Sequence, residues 1–184
     1  MIKFAYLSNI HIRAMRAMLV PLLLAVFFVH MVSITSYAQT QQPASVVIKP
    51  GQGFSRIVLG DKKRDLMRLL GQPSEDTGKY ISYHSQGLTF RLQGNRIQAI
   101  FFYFRYQGYS PFYGVTDQGI GINSTILDVI NQYGEPDRVS ETIVSQYGEK
   151  PGATEVYLSY QQLGIAFSFW DGELADIRLT NQGQ

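Results

Sequence analysis

One histidine, His84, stands beyond residue 38, and no cysteine stands anywhere in the 184 residues. Acid–base chemistry at neutral pH leans on histidine, so His84 is weighed first. It ends a run, Tyr80 to His84, that alternates as a strand, with no His-x-x-His and no nucleophile at motif spacing. A Ser-His-Asp set is recognised by geometry and not by chain order, and nothing in this order points to one. The groupings Asp171/Glu173/Asp176 and Glu135/Asp137 fall at turns, where acidic side chains serve the turn itself. Gly51-Gln-Gly53 lacks the third glycine and the strand-to-helix setting of a dinucleotide site. Asn123-Ser-Thr125 spells a glycosylation sequon, and the capping of a helix start explains it equally well. No catalytic residue, metal ligand set or cofactor is expected, and the chain reads as a non-enzyme.

Binding chemistry is better represented. Eight aromatic residues fall between Phe101 and Tyr113, and rigid aromatics with interspersed arginine are what interface hot spots are made of. In the last strand, Ala175, Ile177 and Leu179 form an apolar set and Asp176, Arg178 and Thr180 the opposite, wet face. The corresponding wet positions upstream are Ala99, Phe101 and Tyr103, so aromatics stand where the later strand is polar. The same parity places Tyr80, His84, Arg91, Tyr157 and Trp170 on that face. The expected binding set is therefore Tyr80, His84, Arg91, Phe101, Tyr103, Tyr157 and Trp170. The rival reading is that the segment from Tyr106 to Val115 folds back over this face as ordinary core.

That correspondence comes from an internal match. Ile57 to Pro73 matches Ile120 to Pro136 at an offset of 63, sharing Asp65/Asp128, Gly71/Gly134 and Pro73/Pro136. Tyr83, Gly87, Phe90, Ile97 and Ile100 then meet Tyr160, Gly164, Phe167, Leu174 and Ile177 at an offset of 77. The later copy thus carries 14 extra residues (77 − 63) within Asp137 to Val156. In each copy Asp61 or Ser124 offers a helix cap. A short apolar stripe follows, then a glycine that stops the helix and a proline that forbids its resumption. Three alternating segments follow: Tyr80 to His84, Leu88 to Leu92 and Arg96 to Tyr106 in one copy; Val156 to Gln161, Ile165 to Trp170 and Glu173 to Thr180 in the other. The expected fold class is α+β, with two tandem repeats, each a short helix packed on an antiparallel β-meander of about three strands. The divisions are a signal peptide over 1–38, a linker over 39–52, repeat unit 1 over 53–106, an aromatic connector over 107–118 and repeat unit 2 over 119–184.

The repeated phrase, Ile-x-hydrophobic-Gly/Asn, an amphipathic turn, Gly-x-Pro and a glycine-turned meander, resembles the tandem repeats of β-lactamase inhibitory protein. More loosely it resembles the small outer-membrane assembly lipoproteins of the BamE/SmpA type. The resemblance implies a secreted α+β binding module. It carries over no functional residue, because the inhibitor's disulfides and the lipoproteins' acylated cysteine are both missing.

The leader accounts for the chain's basic balance. The cationic lead to Arg16, the apolar run Met18 to Val32 and Ser36-Tyr37-Ala38 have the form of a signal peptide cut before Gln39. An uncleaved anchor would need about 20 apolar residues, and this run carries Pro21 and His30. Without the leader's Lys3, Arg13 and Arg16, 13 basic residues face 14 acidic ones. That balance gives no footprint for nucleic acid. The expectation is a periplasmic or secreted protein with no stable membrane anchor after cleavage, binding a protein partner through the helix-free sheet face. The alternatives are an envelope-associated structural or assembly factor, or a carbohydrate- or lipid-binding protein that uses the same aromatics.

Overall fold

The computed structural model describes residues 46–144 and 150–183. The expected signal peptide over 1–38, and the linker as far as residue 45, lie outside the described residues. Along the chain run β1 (Val46–Lys49), β2 (Gly53–Phe54), β3 (Ile57–Val58), α1 (Lys63–Leu70), β4 (Glu75–Asp76) and β5 (Tyr80–Tyr83). A 3-10 turn (His84–Gln86), β6 (Leu88–Gln93), β7 (Arg96–Tyr103) and β8 (Gly114–Thr116) follow. The chain continues through α2 (Ile126–Tyr133), β9 (Arg138–Ile143), β10 (Thr154–Tyr160), β11 (Ile165–Trp170) and β12 (Glu173–Thr180).

The expected pair of helix-on-meander repeats is not what these elements build. The protein is mostly β. One sheet has eight strands in the order β4-β5-β6-β7-β12-β11-β10-β9, and a second has four in the order β3-β2-β1-β8. Two errors explain the difference. The stretch Asp137 to Val156, read as an insertion, supplies β9, which pairs along β10 from Arg138↔Ser159 to Ile143↔Thr154. Residues assigned to linker and connector supply β1 and β8 of the second sheet, which pair in parallel through Val47↔Val115. Such a pairing joins distant segments and leaves no local pattern in the sequence.

The two four-strand runs of the large sheet meet at β7 and β12, antiparallel, with Phe101 opposite Arg178 and Tyr103 opposite Asp176. One face of this sheet carries the apolar core. Phe90, Phe102, Phe167 and Phe169 are fully enclosed there, together with Leu66 of α1 and Val129 of α2. The small sheet packs on the same side: the Phe54 ring meets Phe102 edge-on at 5.1 Å, and Ile48 of β1 is wholly buried. With α1, α2 and the small sheet on one side, the other face carries no helix among the described residues.

The helices are short and locally specified. Thr125, not Ser124, caps α2, in a capping box closed by Asp128. Ser124 instead accepts from the Gly121 N–H. Asp61 accepts from Val58, and α1 begins at Lys62 without a side-chain cap. Gly134 ends α2 at φ 78°, ψ −164°, an extended positive-φ conformation that only glycine takes without strain. Its carbonyl accepts from the Tyr160 hydroxyl at 2.8 Å, as the Gly71 carbonyl accepts from Tyr83 at 3.2 Å. These matched tyrosines tie each helix end to the sheet.

Candidate binding face

Cross-strand pairing fixes which side chains share the helix-free face, because partners in register point to the same side. One line crosses seven strands: Ser82, Thr89, Phe101, Arg178, Ala166, Ser159 and Arg138. The next line carries Tyr103, Asp176, Ser168 and Tyr157. Between Arg178 on β12 and Arg138 on the edge strand β9 the first line holds only Ala166 and Ser159, so a depression is built into the pattern.

The face is divided by the segment that follows β7. Tyr106 turns back over it and donates to the Asp176 carboxylate at 2.7 Å, with its ring 4.1 Å from Tyr103 and 4.7 Å from Trp170. Tyr109 lies 4.7 Å from the Tyr103 ring, and its hydroxyl is 3.0 Å from Thr89, which in turn bonds Ser82. The chain then leaves the face past Gly87, where any Cβ would come within 2.6 Å of the Ser110 carbonyl. Phe112 ends in the main core against Phe102. The connector is thus part cover, part core and part strand.

Under this cover the carboxylate and hydroxyl groups are paired, while the buried Trp170 indole N–H has no partner among the described residues. Asp176 has no exposed surface, and it takes Arg178 Nε at 2.8 Å and Nη2 at 3.3 Å as well as the Tyr106 hydroxyl. Burial pushes the Tyr103 and Tyr106 phenols well above the ordinary tyrosine range, and the Asp176 charge adds to this. Burial opposes the charge on Arg178, but the Asp176 carboxylate outweighs it and raises the arginine's pKa.

Beyond the cover lies an open cleft of about 270 Å³. Ala99, Ser159 and Ala166 form its floor, and Arg91, Arg138 and Arg178 line it with Phe101 and Tyr157. The Arg178 guanidinium is 5.7 Å from the Phe101 ring centre and 5.3 Å from that of Tyr157, within cation–π range.

The expected binding set therefore divides. Arg91, Phe101 and Tyr157 come together in the cleft, and Tyr80 stands beside it, exposed and paired in register with Arg91. Tyr103 is wedged beneath Tyr106 and Tyr109. His84 falls in the 3-10 turn, its ring 4.5 Å from Tyr109 and its Nε2 4.0 Å from Glu75. No hydroxyl bonds that ring among the described residues. Trp170 is corrected outright: it is 2% exposed and packed with Val144, Ala153, Ala175 and Tyr106, so it is structure and not a contact residue. Arg138 was missed because its strand was read as an insertion, although Arg138-Val-Ser-Glu-Thr-Ile143 carries the β-formers Val139, Thr142 and Ile143.

No protein-family model matches the chain, and no curated protein matches it. A solved structure similar to it is that of a DUF4309 family protein (YjgB) from Bacillus subtilis subsp. subtilis str. 168, 16% identical over 72% of this chain and 88% of its own, with a TM-score of 0.45. At that distance the likeness carries no argument about this face.

Proposed function

We propose that this protein is an exported, non-enzymatic binding module that holds a protein partner against the open part of its helix-free sheet face. The observation that carries the reading is the cleft itself: two aromatic rings held rigidly by a sheet and a paired guanidinium, beside two arginines with no partner. Neither Arg91 nor Arg138 has an ion-pair or side-chain hydrogen-bond partner among the described residues. Pre-organised aromatics beside arginine are suited to anchoring a partner, since little side-chain entropy remains to be lost on contact. Export is inferred from the leader alone.

A photo-reactive residue at Tyr80, beside the cleft, tests the reading against one at Leu127, an exposed position on α2. In an envelope or secreted fraction, the Tyr80 position should yield a discrete adduct that Phe101→Ala abolishes. Equal adducts from both positions, or adducts from Leu127 alone, would remove the face from consideration.

A further inference from the structure

We infer that the cleft takes a carboxylate from an acidic segment of the protein partner, an inference that rests on the binding-face reading above. Three arginines line the cleft, and among the described residues no aspartate or glutamate does. Arg91 reaches it from β6 and Arg138 from β9, with Arg178 between them on β12. Asp176 occupies only Nε and Nη2 of Arg178, so Nη1 keeps its donors. A trio of cations around one depression concentrates positive potential there, and a planar guanidinium matches a carboxylate in a two-pronged bond.

The rest of the cleft narrows the choice of ligand. Backbone amides beneath the floor belong to a sheet ladder through Arg91↔Ala99, Ala99↔Thr180 and Ser159↔Ala166. They therefore build no amide nest of the kind that cradles phosphate. The volume, about 270 Å³, falls just below the range of about 300–1,000 Å³ typical of small-molecule pockets. It suits one or two side chains of a larger partner. Phe101 and Tyr157 offer ring surface to the apolar residue beside the acid.

A short labelled peptide carrying glutamates beside a phenylalanine, and its glutamine counterpart, test this by fluorescence anisotropy. The glutamate peptide should bind at least about tenfold more tightly, since hydrogen bonds to charged groups are worth that much or more. Its affinity should fall as salt is raised. The double variant Arg91→Gln with Arg138→Gln should lose about tenfold or more and melt as the wild type does, because neither side chain has a partner to lose among the described residues. Arg64→Gln, in the separate basic depression formed with Lys62, Lys63 and Arg96, should leave binding unchanged. Equal loss from Arg64→Gln, or equal binding of the glutamine peptide, would overturn the inference. So would tighter binding of inorganic phosphate or of heparin with the same arginine dependence. The Tyr80 cross-link separates the two readings: if the arginine variants leave it intact and Phe101→Ala removes it, the face binds without an acid; if neither changes it, the face itself fails.

Discussion

Two parts of one sheet face, a few ångströms apart, put their charged groups to different uses. Under Tyr106 and Tyr109 the buried carboxylate and hydroxyls are satisfied from within: Asp176 by Arg178 and Tyr106, Thr89 by Ser82 and Tyr109. Beyond the cover, Arg91 and Arg138 stand beside rings with no side-chain partner among the described residues. The strand pairing is continuous through both parts, so the division comes from the ten or so residues after β7 that fold back over one end. Local polarity therefore does not report which part is wet. Asp176 is the most deeply buried charge on the face, whereas Phe101 is only partly buried.

Truncating one ring from each part should give the largest contrast. Trp170→Ala should cost about 3–5 kcal/mol by urea unfolding, the usual loss for an enclosed aromatic. Phe101→Ala should cost under about 1.5 kcal/mol, because part of its ring already faces solvent. Equal losses would mean that the cleft is core. Asp176→Ala should cost about 3 kcal/mol, since it strips the counter-charge from a largely enclosed guanidinium and leaves the Tyr106 hydroxyl unpaired. Removing a charge from the open part, by Arg91→Gln, should be nearly neutral. A smaller step, Tyr106→Phe, should cost about 2 kcal/mol by removing one donor from a buried carboxylate.

How far this division could be read from the sequence depends on the element. The eight-residue helices and six of the large-sheet strands announce themselves by apolar spacing, and the stop at Gly134 by the Gly-x-Pro that follows it. The small sheet did not. β2 and β3 are two residues long, and β1 finds β8 across more than sixty residues, so its pairing is a tertiary choice with no local period. Strand parity places Arg91, Phe101 and Tyr157 on one face, in agreement with the register of the large sheet. It could not show that the chain doubles back over Tyr103 and Trp170, because Tyr106 and Tyr109 serve equally well as contact residues or as cover. Asp176 misleads for the same reason, since its neutralising partners are two and seventy residues away in sequence.

Alkaline titration gives the smallest but most selective contrast. The Tyr103 and Tyr106 phenols are raised by burial. A group raised on folding contributes stability that is fully present below its unfolded pKa, about 10 for tyrosine, and lost as the pH climbs toward the folded value. Unfolding free energy should therefore decline above about pH 10, and less steeply in Tyr106→Phe. An unchanged slope in that variant would mean that Tyr106 does not ionise out of the cover.

The absence of cysteine makes a direct test of the central claim simple. Single thiols at Phe101→Cys, in the cleft, and Ser168→Cys, fully buried one line away, can be timed against Ellman's reagent in native buffer. The division of the face into a covered and an open part predicts that Phe101→Cys reacts promptly, at a rate that low urea leaves unchanged. Ser168→Cys should react only as the protein opens, at a rate that rises with urea. Matching rates at the two positions, whether both fast or both slow, would contradict it.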